Sequence, residues 1–341
     1  MSDLISVIIP VHNAEKTLKR CLDSAIEQTY YNIEIIIVND SSSDNSLLIC
    51  KEYMEKDNRI RYYDVNLKSA GLTRNFGLKK VKGKYVVFID SDDYAEKNMI
   101  EKLYSTIIDN KTDAVFCNFF NINNGKREKC FKNIKSIKNY ERNEIRDNVI
   151  YNSIYSFKLD GDFSIYALWH GIYNMKIIKE NKIEILNEND ILSEDCIFNF
   201  EYLCKTNRIT MIEDSLYNYV INNESICHRY NTRYEKIDIW YNKIIEIAEE
   251  NEISKTKLDK VLNERYVDFS INRIKQEILL SDKKILYRIQ KIREIIKSVS
   301  LQKSIKKLDY KKRTKKNKIL IKLIQCKMVI IIYMLIMLKD K

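Results

Sequence analysis

Tyr85-Val86-Val87-Phe88-Ile89-Asp90-Ser91-Asp92-Asp93 reads as a strand that runs out into acid. Five consecutive β-formers without alternation predict a parallel strand buried on both faces. Its carboxyl end, the ligand edge of an open α/β sheet, presents Asp90, Ser91, Asp92 and Asp93. Three carboxylates within four residues repel one another, so a positive partner is expected, and Mg2+ or Mn2+ with oxygen ligands is the economical one. Such an ion is held by one or two carboxylates and completes its shell with water and phosphate oxygens, which points to a nucleotide diphosphate. A plainer reading stays open, because an Asp after a strand also caps a following helix, here a segment from Glu96.

Working back toward the start, Leu4–Ile9 forms a strand stopped by Pro10, and Asn13 can cap a helix over 14–28 whose Leu18, Cys21, Leu22 and Ala25 share a face. Ile33–Val38 repeats the pattern, ending in Asn39-Asp40 and three serines before a helix from Asp44 with Leu47, Leu48, Cys50 and Met54. Ile60–Val65 and then Ser69–Val81, which contains Arg74 and Asn75, give a third strand and helix. This alternation predicts a doubly wound, mostly parallel α/β sheet flanked by helices. No GxGxxG follows the first strand, so a dinucleotide site lacks its phosphate-cradling glycines. Asp40 either caps the serine turn or accepts hydrogen bonds from a base or ribose.

Four blocks, SVIIPVHNAEKTLKRCLDSAIEQTY, IEIIIVNDSSSDNS, AGLTRNFGL and GKYVVFIDSDD, taken in this order and spacing, resemble the family 2 glycosyltransferases, inverting enzymes with the GT-A fold. The resemblance implies that Pro10 and Val11 line a nucleotide pocket, that Asp40 meets the base and that Arg74 contacts the nucleotide. It also makes Asp90-Ser91-Asp92 the DXD motif, with Asp92 the direct metal ligand and Asp90 near the ribose or the ion. A donor of the UDP-sugar type is implied.

Downstream, a helix over 96–109 leads to an apolar run at Asp113–Phe119 and a hairpin edge, and 132–158 reads as mixed and helical. Trp169-His170-Gly171-Ile172-Tyr173 resembles the family's segment before the acceptor site, and aromatic packing ahead of a helix over Met175–Glu180 reads equally well. Ser193-Glu194-Asp195 is an ordinary helix start by its residue types. The resemblance makes Asp195 the general base that takes the proton of the attacking hydroxyl, with Glu194 supporting it or the acceptor. Arg208–Asp214 reads as a strand. His228 and Arg229 read as a solvated loop pair that some relatives would use at the diphosphate. No QxxRW occurs, which disfavours processive synthesis.

The 341 residues suffice for one large domain and an extension, divided as 1–220, 221–302 and 303–341. The net charge of +11 lies in Lys303–Lys341, which holds 13 basic and 2 acidic residues, against 46 of each before it. A neutral folded part argues against nucleic acid as partner. Eight scattered Cys without CxxC read as reduced thiols, and no secretory signal precedes Pro10, so a cytoplasmic setting is expected. Helical stripes over 237–269 would bury against the core or a second subunit. The basic tail and the apolar run Ile319–Leu338, too short and too interrupted to span, read as a peripheral anchor at the inner face of the cell membrane, or as a packed terminal helix. The expected activity is metal-dependent transfer of one sugar to a glycan or lipid-linked acceptor. A catalytically silent nucleotide-sugar-binding subunit is the alternative. A nucleotidyltransferase would need a phosphate loop where PVHNAEKT offers only Lys16.

Overall fold

Four parallel strands, β1 (Ile5–Val11), β2 (Ile33–Asp40), β3 (Ile60–Val65) and β4 (Tyr85–Phe88), lie in the order β3-β2-β1-β4. They belong to a computed structural model that describes residues 2–132, 137–154, 164–221, 235–310 and 313–338. The chain forms two compact units, Met1–Asn222 and Asn223–Lys341. Every residue of β1, β2 and β4 is buried, as runs of Ile and Val without polar alternation require. The helices between them are α1 (Leu18–Ile26), α2 (Ser46–Lys56) and α3 (Ala70–Leu78). The order reverses at β1, so the carboxyl ends of β1 and β4 flank a topological switch point, where open α/β sheets bind ligands.

β5 (Tyr94–Ala95) and α4 (Met99–Asn110) follow the acids, and then β6 (Ala114–Asn123) forms a hairpin with β7 (Lys126–Lys129). β8 (Lys138–Glu141) precedes α5 (Arg142–Asp147) and a short 3-10 turn at Val149–Ser153, so the described part of 132–158, expected to be mixed and helical, holds a strand as well as helix. β9 (Gly171–Asn174) runs antiparallel between β4 and β6. It leads into α6 (Met175–Glu180), and α7 (Glu194–Lys205) is followed by β10 (Arg208–Val220), parallel to β6 and antiparallel to β5 and β8. Among the described residues the sheet is ten-stranded and mixed: β3-β2-β1-β4 is parallel, as expected, and the antiparallel β5, β7, β8 and β9 make the rest less so than the expected mostly parallel sheet.

Two local expectations change. Asn13 takes a left-handed backbone and bonds across to the serine turn, accepting from Ser43 N at 2.8 Å and donating its own N–H to Ser42 Oγ at 3.0 Å. It therefore ties β1 to β2, and α1 starts only at Leu18, with the expected Leu18, Cys21, Leu22 and Ala25 buried. In α2 the buried face is Ser46, Ile49, Cys50 and Tyr53, and Leu48 and Met54 are exposed. Tyr53 fixes that face by donating its hydroxyl to Asp23 Oδ1 at 2.7 Å, a polar anchor that periodicity does not register.

The second unit is helical: α8 (Ile237–Glu250), α9 (Lys255–Leu279), α10 (Ile285–Lys297), α11 (Val299–Lys306), α12 (Lys315–Gln325) and α13 (Val329–Met337). Trp240, fully buried, meets Phe269 edge-on at 5.0 Å, and the expected stripe Ile237, Trp240, Ile244, Ala248 is buried. The apolar run at 319–338 is two helices, broken where Lys327 adopts φ +60. Among the described residues no helix is long and apolar enough to cross a membrane.

Candidate active site

Register places Pro10 and Val11 at the end of β1, paired with Val38 and Asn39 of β2. β4 pairs with β1 as far as Phe88, opposite Ile8, and beyond Ile89, whose N–H still donates to Ile8 O at 3.0 Å, the acids follow as a fixed turn. Asp93 N donates to Asp90 O at 3.0 Å, Thr17 Oγ1 to Ser91 O at 2.9 Å and Arg20 to Asp92 O at 2.7 Å. The Arg20 guanidinium also lies 4.9 Å over the Tyr94 ring. Asp93 faces inward, accepting from Tyr217 Oη at 2.9 Å and Val220 N at 2.7 Å, while Tyr217 Oη also accepts from Asp90 N at 3.1 Å. Burial, then Asp92 and Asp90, push Asp93 well up. Neither Asp92 nor Asp93 caps α4, whose N-cap is Asn98. Three acids in sequence thus divide: Asp93 anchors β10, and Asp90 and Asp92 remain at the half-exposed edge.

Arg74, buried in α3, draws the site together. Its Nη2 donates to Asp90 Oδ1 at 2.6 Å, and its Nη1 lies 3.9 Å from Asp195 Oδ1. The guanidinium stays charged, its pKa raised against burial by Asp90 and Asp195. Asp195 stands in the first turn of α7 behind Ser193, which adopts φ +55 and makes no side-chain cap bond. A Ser in left-handed backbone that does not cap is strain unrelated to starting a helix. Asp195 Oδ1 is buried without a hydrogen bond among the described residues, although the side chain as a whole keeps 23% of its surface open. Burial pushes its carboxyl well above the usual range, against the pull of Arg74, and Glu194 and Asp90 add to the rise. A carboxyl so placed is the kind of group that takes a proton in chemistry near neutral pH.

Burial and then the Asp90 carboxylate push Asp92 up to about 6, outweighing the pull of Arg74 and Arg20. Asp90 and Asp92 together offer the one or two carboxylates that Mg2+ or Mn2+ takes when phosphate and water fill the other positions. The donor set fits such an ion with a phosphate present. Among the described residues no three His, Cys, Asp or Glu are grouped to hold one unaided.

Asp40 is engaged with its own scaffold. Oδ1 accepts from Leu67 N at 2.7 Å and Lys68 N at 3.0 Å, and Oδ2 accepts from Ser69 N and Thr73 Oγ1, both at 3.0 Å. Burial raises its pKa, and these bonds outweigh that to hold it below the ordinary value. It shapes the loop between β3 and α3 in the site's wall.

Sequence reasoning missed the other end of this clamp. Glu188, buried in an irregular loop, accepts from Ala70 N at 2.7 Å and Gly71 N at 3.0 Å, and Ser69 Oγ donates to it. Asn75 bonds both Ile185 N and Ile185 O, and a Cβ on Gly71 would collide with Leu186 O. The segment 185–188 is thereby fixed to the helix that carries Arg74. Arg20 and Tyr217 were missed too, each in a helix or strand where nothing local marks it. Trp169 stacks on Tyr217 at 4.4 Å and 14° and on Tyr219 at 5.6 Å, aromatic packing rather than an exposed sugar platform. His228 and Arg229 lie outside the described residues.

The sequence profile of glycosyl transferase family 2 matches residues 6–180. Glycosyltransferase GlyG of Streptococcus pneumoniae is 32% identical over 288 residues, 83% of this chain and 89% of its own. Glycosyltransferase GlyA of the same organism is 35% identical over 227 residues, and the aligned part covers 32% of GlyA, so the chain spans about a third of that relative. Among solved structures, S. aureus TarS 1-349 in complex with UDP-GlcNAc superposes with a TM-score of 0.67 at 21% identity, covering 98% of this chain and 90% of that one. That likeness establishes the fold, GT-A. With the profile spanning half of the sequence and GlyG aligned along most of its length, the chain belongs to glycosyl transferase family 2.

Proposed function

We propose that this protein transfers a single sugar, with inversion, from a UDP-sugar to a hydroxyl of a glycan or lipid-linked acceptor in bacterial-type surface polysaccharide synthesis. The observation that carries the reading is Arg74, one buried guanidinium bonded to Asp90 and 3.9 Å from Asp195, which draws the acids at the end of β4 and the acid opening α7 to one site. The donor class is supported by TarS, solved with UDP and with UDP-GlcNAc. The acceptor class is supported by the poly(ribitol-phosphate) beta-glucosyltransferase of Bacillus spizizenii, 28% identical over 277 residues.

Asp92, with Asp90, would hold Mg2+ or Mn2+, which when bound supplies positive charge against the departing diphosphate. Pro10 and Val11 form the nucleotide side of the site, with Ser91 in the turn of acids. Arg74 holds Asp90 in place through its hydrogen bond to Oδ1. Asp195 accepts the proton of the acceptor hydroxyl as that oxygen bonds to the anomeric carbon, and Glu194 orients the hydroxyl. The bond from the anomeric carbon to the phosphate oxygen breaks with its electron pair on the leaving nucleotide diphosphate. One displacement from the opposite face inverts the centre. Asp40 holds the loop at 66–69 and would meet the base through it. The same reading places the enzyme on the cytoplasmic side of the cell membrane, where a lipid-linked acceptor is available.

The test is a panel of nucleotide-sugars with and without Mn2+, read by thermal unfolding and by slow donor hydrolysis. A ligand bound only to the native state stabilises it by about 2.7 kcal/mol at a hundredfold excess over Kd. One donor, UDP-linked, is expected to raise Tm in an Mn2+-dependent way and to be hydrolysed. A flat response to every donor overturns the reading.

A further inference from the structure

α13 carries no charge in its nine residues, VIIIYMLIM, and it is apolar on two opposite sides. Val329, Ile332 and Ile336 are buried, and the helix packs on α9, α10 and α12. Facing away from them, Ile330 is 59% exposed and Met334 55%, with Ile331 and Met337 also open. A surface helix ordinarily turns its polar side to water once one stripe has packed, so this outer side requires a cover. Basic residues border it: a groove of about 340 Å3 is lined by Arg293, Lys297 and Lys327 together with Met328, Ile330 and Ile331. Among the described residues no acid lines that groove, nor a second one of about 380 Å3 that holds Lys306, Lys318 and Lys322.

We infer that the outer side of α13 docks on the surface of an anionic lipid bilayer. Ile330, Ile331 and Met334 enter the boundary between headgroups and acyl chains, and Arg293, Lys297 and Lys327 meet the anionic headgroups. Charge decides against a second copy of the chain as the cover, since a two-fold contact through this face would set the same basic rims against each other, in a tail with 13 basic and 2 acidic residues. An anionic membrane complements both features at once. Length decides against insertion across the bilayer: nine residues extend about 13 Å, against a hydrocarbon core of about 30 Å. The helix therefore lies in the plane. The inference rests on the proposed membrane-side acceptor for its purpose, but on none of the catalytic residues for its geometry.

The experiment is co-sedimentation of the full chain with phosphatidylcholine vesicles, with and without phosphatidylglycerol, alongside its mass in solution. Binding is expected only to the phosphatidylglycerol vesicles, lost at high salt, and weakened about fivefold for each of Arg293→Glu, Lys297→Glu and Lys327→Glu. Ile330→Glu with Met334→Glu should weaken it at least tenfold while leaving the unfolding temperature and donor hydrolysis in solution unchanged. The proposal is overturned if wild type ignores anionic vesicles, if the double variant binds as well as wild type, or if the chain is a dimer that this variant splits. Donor hydrolysis without vesicles reads the catalytic proposal separately, so the two can fail independently.

Discussion

Asp40 is buried and Asp195 half-buried with its Oδ1 enclosed, and their surroundings push the two carboxyls in opposite directions. Asp195 has a distant guanidinium and no hydrogen bond on Oδ1, so burial prevails and its pKa rises. Asp40 accepts from Leu67 N, Lys68 N, Ser69 N and Thr73 Oγ1, and burial loses. The consequences differ in sign. A base must be ionised to accept a proton, so transfer should increase with pH through the neutral range, and kcat/KM followed from about pH 6 to about 9 should rise rather than stay level. Asp40, with its folded pKa depressed, contributes stability that is present above its unfolded value near 3.9 and disappears as pH falls through the lower folded value. Asp40→Ala should cost about 3 kcal/mol at neutral pH by leaving buried N–H groups unpaired, as denaturant unfolding will measure. The DSDD cluster was legible in the sequence because several acids stand together, whereas SED reads as an ordinary helix start and only the family resemblance singles out Asp195. Glu188 was not, since its partners at 69–71 lie more than a hundred residues away and one acid in ILNEND has no periodicity to stand out against.

α3 works as a clamped element. Asp40 holds the loop that enters it, Glu188 takes its first N–H groups, and Asn75 and Gly71 seat it on 185–186. Gly71→Ala sets a methyl against a backbone carbonyl that cannot yield cheaply, so it should cost about 1–3 kcal/mol and lower transfer by shifting Arg74, measured as Tm and kcat on one preparation. α13 gives the complementary contrast. Ile332 is fully buried and Ile330 is 59% exposed, so Ile332→Ala should cost about 2–5 kcal/mol and Ile330→Ala less than about 0.5, by chemical unfolding. At this scale the sequence was a good guide wherever one pattern acted alone. β3 and α6 have the bounds expected, Ile60–Val65 and Met175–Glu180, and α1 buries the expected face. It misled where a polar tether overrode periodicity, as Tyr53 does for α2 and Asn13 does ahead of α1.

For the molecule as a whole, the order of the strands matters more than any single motif. Reversal at β1 sets the carboxyl end of β1, with Pro10 and Val11, beside that of β4 with its acids, and α3 and α7 bring Arg74 between Asp90 and Asp195. The α/β class followed from alternating strand and helix, whereas the insertion of β9 antiparallel between β4 and β6 did not, because a four-residue strand has no pattern of its own. The uneven charge was readable from the chain, and what it surrounds was not: the apolar run is broken at Lys327, which produces a short helix with one packed side and one open side. The proposed reaction requires that the donor bind through Asp92 and an ion while a separate carboxylate takes the acceptor proton. Isothermal titration of UDP with Mn2+, paired with a transfer assay on the same samples of wild type, Asp92→Asn and Asp195→Asn, tests it most directly. The prediction is that Asp195→Asn binds UDP like wild type and loses transfer by about 10²–10⁴-fold or more, whereas Asp92→Asn loses the Mn2+-dependent part of binding; transfer surviving in Asp195→Asn, or UDP binding unchanged in Asp92→Asn, would contradict it.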